Sequence, residues 1–329
     1  MFYHCGLIAV VSTVAIVIIL GLPLFLLCWL LFINDTPYMD IQRYDEEKFF
    51  INENGEKIKF PNFLEEPSIE LSVVVPAYNE QDRLRPMLDS CLQYLTSVYK
   101  SSFEIIIVSG GSTDKTCDIS MEYVKKYGSD YVRLLKLVNN RGKGGAVCLG
   151  MQNTRGRLLL FADADGATKF DDIIKLEDSM NELIKKSVTR TESKIFAIVC
   201  GSRAHLEQDA IVHRSIFRTI LMYGFHTLVW TFGVRTIRDT QCGFKMFTRA
   251  AAQVLFSNLH VDRWAFDVEM LFIAEKLNMS ISEISVNWTE IEGSKIVPVW
   301  SWLQMGFDVV SIWIKYRLGL WKIHFDKTE

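Results

Sequence analysis

From Ile69 onward, short apolar runs alternate with helix-patterned stretches, and this alternation restricts the possible fold more than any other feature. "IELSVVVPAYNE" reads as a strand ending at Pro76, followed by a helical pattern over about 81–98. "FEIIIVSGG" is a second strand, and "STDKT" opens the next helix with three candidate N-cap residues. "YVRLLKLV" is a third, and "RGKGGAVCLGMQNT" is a glycine-rich turn into a helix. "RLLLFADAD" is a fourth, and "IFAIVCGSRA" adds another buried strand with Arg203 just past its end. Such alternation predicts an α/β fold with a parallel sheet and a ligand crevice at the strands' carboxyl ends.

The run Leu158–Ala162 stops on Asp163 and Asp165, with Gly166 behind them. An unpaired buried charge is costly, so two carboxylates at a strand end need partners. Two readings are open on these residues alone. Asp is common in turns and caps, and a divalent cation held over a phosphate also wants carboxylate oxygen. Other nucleotide patterns do not fit: "SGGSTDKT" lacks G-x-G-x-x-G spacing, and no G-x-x-x-x-G-K-[ST] loop occurs.

The 329 residues allow one large domain or two small ones. A formal net charge of −3 gives no basic footprint for nucleic acid. Seven scattered cysteines read as buried thiols in a reducing compartment. Leu7–Phe32 carries no charged residue and, as a helix, would cover roughly 39 Å, so an uncleaved transmembrane anchor is expected there, kinked at Pro23. Residues 34–68 look like a linker or surface hairpin. Two late stretches, 213–234 and 297–325, are rich in apolar and aromatic residues. In the second, Trp300, Trp302, Trp313 and Trp321 with Lys315, Arg317 and Lys322 suit helices at a membrane interface. The expected organisation is an anchor (1–33), a linker (34–68), a catalytic domain (69–250), and a C-terminal acceptor and membrane-interface region (251–329).

The motifs "VVVPAYNE", "NRGKGGA", "ADADGATKF", "CGSRAHLE", "RSIFRTILMYGFH", "RDTQCGFKMFTR", "RWAFDVEML" and "VNWTEIEGSKIVPVWSWLQMG" together resemble glycosyltransferase family 2 with the GT-A fold. Within it they look most like the enzymes that glucosylate dolichyl phosphate, over Leu71 to about Gly319. The resemblance implies transfer of glucose from UDP-glucose to dolichyl phosphate with inversion. It implies that Asp163 and Asp165 hold Mg²⁺ or Mn²⁺, with Ala164 between them, and that Asp239 lies near the acceptor. Pro76, Ala77, Tyr78, Glu80 and Ser109 would hold the nucleoside, and Lys143 a phosphate. Arg203, Arg214 and Arg218 are candidates for the acceptor phosphate, because guanidinium binds phosphate bidentately. Ser294 and Lys295 match a loop that closes on the diphosphate. A phosphate acceptor is already an anion, which fits six histidines that form no triad pattern. The implied setting is the endoplasmic reticulum membrane, with the catalytic body in the cytosol.

Two departures accompany the resemblance. Where the family usually carries Asp-Asp-Gly-Ser, positions 109–112 read Ser-Gly-Gly-Ser. A non-catalytic membrane scaffold is therefore an alternative, as is a mannosyl transferase using GDP-mannose. "VDRWAFD" has the R-W pair of processive polysaccharide synthases without their accompanying Gln.

Overall fold

The computed structural model describes residues 21–22, 25, 43–187, 195–206, 216–291 and 300–325. A short hairpin, β1 (Phe49–Ile51) and β2 (Lys57–Lys59), precedes the main sheet. The sheet comprises β3 (Ile69–Ala77), β4 (Phe103–Ser109), β5 (Val132–Lys136), β6 (Gly156–Ala162), β7 (Ala197–Ser202), β8 (Phe244–Thr248) and β9 (Ser280–Ser285). The helices are α1 (Leu84–Val98), α2 (Thr116–Tyr127), α3 (Gly142–Met151), α4 (Ile173–Lys186), α5 (Ile216–Phe232), α6 (Arg249–Asn258), α7 (Phe266–Lys276) and α8 (Trp300–Arg317).

Strand order is β5-β4-β3-β6-β8-β7-β9. The period-2 alternation of side chains serves both faces of the sheet. Val73, Val75, Ile105, Ile107, Leu158 and Leu160 pack with α1, α2 and α4. Val74, Ile106, Val108, Leu159 and Phe161 pack with α3, α6, α7 and α8. Burial on both faces is why these strands read as continuous apolar runs.

The chain winds outward from β3 through β4 to β5, then returns to place β6 on the other side of β3. The carboxyl ends of β3 and β6 therefore flank a topological switch point, where ligands bind in open α/β sheets. Strand β8 runs antiparallel to β6, with Phe244 opposite Ala162, so the loop before β8 reaches the same end. Strand β7 runs antiparallel to β8, and its end at Ser202 hands Arg203 to that end too.

Three expectations change. The division at residue 250 is not a packing boundary, because β9 pairs in register with β7 from Ala197↔Ser280 to Ser202↔Ser285. The 34–68 stretch does hold a hairpin, but it is docked. Phe50 and Phe60 are buried with Leu135 and Leu137, Arg133 lies over the Phe50 ring, and Glu53 accepts from the Ser129 N–H at 2.9 Å. Of the tryptophans expected at a membrane interface, the three whose side chains are described pack against other aromatic rings of the protein. Trp302 packs edge-on against Phe225, Trp313 against Phe232, and buried Trp321 stacks on His260 at 4.1 Å. Lys315 is fully buried over Trp321. Among the described side chains of α5 and α8, the large apolar ones left exposed are Tyr223, Trp230, Leu303 and Phe307.

Among the described residues, no helix is long and apolar enough to cross a membrane. The anchor expected over 1–33 lies outside them, except for helical Gly21, Leu22 and Phe25.

Candidate active site

The β3 and β4 ends are tied into one rim. Asn79 sits at φ +54°, a left-handed conformation that Asn tolerates better than most residues. From there its Oδ1 accepts from the Thr113 N–H at 2.8 Å, and its own N–H donates to Ser112 Oγ at 3.1 Å. Pro76 and Ala77 complete β3, and the Gly110 N–H donates to the Ala77 carbonyl at 2.9 Å. Tyr78 is exposed on this rim. Glu80 is bound on both oxygens by Arg83, each contact at 2.6 Å, and its N–H donates to Thr116 Oγ1.

Ser109 departs from its expected role. Its side chain is fully buried, donating to Ser112 Oγ at 3.1 Å and accepting from Cys117 Sγ at 3.1 Å. Beside it, Gly110 leaves room: a methyl group there would meet nothing nearer than Ala77 O at 3.8 Å.

The two carboxylates past β6 have different surroundings. Asp163 pairs with Lys143, its Oδ1 and Oδ2 lying 2.7 and 2.9 Å from Nζ. Its N–H donates to the Gly243 carbonyl at 3.0 Å, and its carboxylate lies against the Gly243 Cα, where no side chain would fit. Asp165 accepts from the Ala167 N–H at 3.0 Å. Burial, and then the Asp163 charge, push the Asp165 carboxyl above its usual range. Two hard oxygen donors in a site with surplus negative charge fit a divalent cation. Among the described residues, no cluster of three or more His, Cys, Asp or Glu is placed to hold a metal. Any ion here would therefore take its remaining ligands from phosphate and water.

The glycines of "NRGKGGA" serve packing as well as approach. Gly142 has φ +71°, and a side chain there would lie 2.5 Å from the Asp262 carbonyl. A methyl group on Gly144 would meet the Phe266 side chain at 2.7 Å. The start of α3 is thus pressed onto "DRWAF", which aims Lys143 at Asp163. Ala164 is buried between the two aspartates. The segment after them is zipped to the segment before the expected closing loop: Lys169 N–H donates to Asn287 O, and Thr289 N–H to Ala167 O, each at 2.9 Å.

Arg203 and Asp239 meet in a two-pronged pair. Arg203 Nε and Nη2 donate to Asp239 Oδ2 and Oδ1 at 2.7 and 2.8 Å, and the Arg203 N–H adds a bond at 2.9 Å. Burial alone would raise the Asp239 carboxyl, but the guanidinium outweighs it and holds the group below the usual carboxylate range. Asp163 follows the end of β6 and Arg203 the end of β7, so both pairs lie at the same end of the sheet. Behind the loop lies Lys245, fully buried, donating to Thr240 O at 3.0 Å, Cys242 O at 2.6 Å and Asp267 Oδ1 at 2.7 Å. Burial disfavours charge on Lys245, and Asp267 outweighs it, holding the ammonium above its ordinary value.

The fold thus brings together Asp163, Asp165, Lys143, Arg203 and Asp239. Arg218 falls in α5, where only the backbone is described, and Arg214, Ser294 and Lys295 lie outside the described residues. Sequence reading missed Arg83, Lys245, Asp267 and Gly243. A lone Lys inside the apolar run "FKMFT", and a lone Asp in "WAFDVEML", were the available signals.

Residues 72–256 match the model of the glycosyl transferase family 2. Dolichyl-phosphate beta-glucosyltransferase of Drosophila melanogaster is 54% identical over 292 residues, covering 87% of this chain and 88% of that protein. The Homo sapiens protein of the same name is 52% identical, covering 89% and 90%. A crystal structure of a mycobacterial protein shares the fold at TM-score 0.50 and 16% identity, covering 83% of this chain and 84% of that one. A match over more than half of the chain, together with relatives more than half identical along nearly all of it, makes this protein a member of glycosyl transferase family 2.

Proposed function

We propose that this glycosyltransferase moves glucose from UDP-glucose to dolichyl phosphate with inversion at the anomeric carbon. The observation that carries the reading is the group formed by Asp163, Asp165 and Lys143 at the switch point of the sheet. The names of relatives that align along almost the full chain supply the acceptor and the sugar.

The acceptor phosphate is an anion, so it needs no base to attack. One of its oxygens bonds to the anomeric carbon as the bond to UDP breaks on the opposite face, and no proton has to move. The chain's work is then positioning and electrostatics. Tyr78 and the Pro76–Ala77 strand end offer a surface for the base and ribose. Lys143 supplies a cation to the diphosphate, and Asp163 and Asp165 would hold Mg²⁺ or Mn²⁺. When bound, such an ion neutralises charge growing on the leaving group. Glu80 is engaged by Arg83 and serves the rim through that pair. Asp239, kept ionised by Arg203, acts by orienting that guanidinium toward the acceptor phosphate. Ser294 and Lys295 follow Thr289 by five and six residues, close enough in the chain to close over the diphosphate.

The exposed apolar side chains of α5 and α8 suit a membrane interface, where the lipid acceptor resides. We read the enzyme as held by the anchor expected over 1–33 and working at the endoplasmic reticulum membrane with its catalytic body in the cytosol, a setting these side chains support. Glycan attached to Asn34 in cells would refute that orientation. The activity is tested by offering the purified chain radiolabelled UDP-glucose or GDP-mannose with dolichyl phosphate, with and without EDTA. Label should enter lipid only from UDP-glucose and only with the metal present. Transfer from GDP-mannose, or no transfer at all, would overturn the reading.

A further inference from the structure

The segment Arg43–Glu47 lies outside the sheet, yet it is bonded to both ends of α3, the helix whose first turn carries Lys143. At the far end, Arg43 Nη2 donates to Asn153 Oδ1 at 2.8 Å, two residues past α3. At the near end, Arg141 Nη2, one residue before α3, donates to Glu47 Oε2 at 3.1 Å. Glu47 Oε1 accepts from the Val138 N–H at 3.0 Å, and Asn139 Nδ2 donates to the Tyr44 hydroxyl at 2.9 Å. The Arg141 guanidinium also sits over the Tyr44 ring at 5.5 Å. Within the segment, Arg43 Nη2 reaches the Glu47 carbonyl at 3.0 Å, and the Tyr44 N–H reaches Glu47 Oε2 at 3.3 Å.

Glu47 has no solvent exposure at all (0%). A carboxylate taken fully out of water is tolerated only where its lone pairs are well bonded. Outside its own segment, the bonds Glu47 makes go to Val138 and Arg141, which bracket the turn leading into Lys143.

We propose that Glu47 is a positioning residue for the donor diphosphate. It fixes Arg141 and the backbone at Val138, and so sets the direction in which the first turn of α3 presents Lys143 to Asp163. The effect on turnover rests on the donor-site reading above; the effect on α3 does not. If Glu47 merely stabilised the fold, its loss would lower stability throughout and leave substrate dependence alone. As a positioning residue, it acts on donor binding.

The test uses the full chain in detergent or nanodiscs, with Glu47→Ala and Glu47→Gln. Hydrogen exchange over 142–151 reads the helix without any nucleotide, and steady-state kinetics reads the donor. Glu47→Ala should speed exchange in α3 while leaving α1 and α2 unchanged. It should raise KM for UDP-glucose about tenfold with kcat within about twofold, as expected when a ground-state contact is lost. Glu47→Gln keeps the shape and one of the two acceptor oxygens, and should fall between Ala and the parent. If Glu47→Ala does not fold, Arg141→Met removes the same link from a partly exposed position and should give the same KM shift. Unchanged α3 exchange, or equal KM changes for UDP-glucose and dolichyl phosphate, would overturn the proposal. A parent chain that binds no UDP, with α3 exchange still governed by Glu47, would support the clamp and refute the donor reading instead.

Discussion

Gly243→Ala isolates the dependence of the Asp163 carboxylate on a neighbour eighty residues away. A methyl carbon built on Gly243 falls 2.6 Å from Asp163 Oδ1 and nearer still to Oδ2 and Cγ, whereas ordinary contact begins at 3.4 Å. Backbone on the Gly243 side is held by β8 and by its carbonyl's bond to the Asp163 N–H, so the carboxylate is the part that yields. It must retreat by roughly 1 Å or more, a displacement of the size that costs about 10²-fold in a positioned active site. That corresponds to about 2.7 kcal/mol of lost transition-state stabilisation. The assay is kcat/KM for transfer to dolichyl phosphate over a range of Mn²⁺ concentrations, with thermal denaturation alongside. Gly224→Ala on α5 is the control, because a methyl group there meets nothing within 4 Å. It should keep full activity and gain up to about 1 kcal/mol of helix stability. Gly243→Ala activity within about threefold of the parent would refute the reasoning, since a shift that large cannot leave a working carboxylate unaffected.

Asp165→Asn should nearly abolish transfer while leaving the melting temperature equal or higher, because it removes a buried charge that Asp163 opposes; activity close to the parent's would sink the cation role. Lys245→Met should cost about 3–5 kcal/mol in urea denaturation, since Asp267 is left buried and unpaired. Adding Asp267→Leu should restore much of that stability, while transfer stays low because the Thr240 and Cys242 carbonyls have lost their donor. Gly110→Asp restores the second of the two aspartates usual in the family, has space for its Cβ, and should tighten UDP binding in calorimetry without changing kcat; unchanged affinity would mean that the position does not contact the nucleotide. The Asp239 carboxyl is held below its ordinary value, so its stabilisation is full above about pH 4, the unfolded value. It is lost as pH falls through the lower folded value. The stability gap between the parent and Arg203→Met should therefore shrink on acidification, and a gap that is constant or widening down to pH 3 would contradict the pairing.

The period of the apolar runs carried the α/β alternation, and with it the end of the sheet where chemistry belongs, because strands buried on both faces have to read as continuous apolar runs. Asp163–Asp165 was legible for the same reason: two carboxylates at the stop of such a run are expensive without a role. Arg203 could be placed at a strand end, but its engagement by Asp239 thirty-six residues later could not be read from spacing. Ser109 is a nucleoside contact by resemblance, but the turn directs its hydroxyl to Ser112 and Cys117, which no spacing in the sequence shows. "NRGKGGA" suggested a phosphate turn, and only the approach of Asp262 and Phe266 explains why Gly142 and Gly144 stand there. Glu47, Lys245 and Asp267 are ordinary charged letters in the sequence, and the tertiary structure alone shows them fully or almost fully buried. The division has one physical cause. Burial periodicity is written locally along the chain, whereas an ion pair depends on which distant segments the strand order brings to the same end of the sheet.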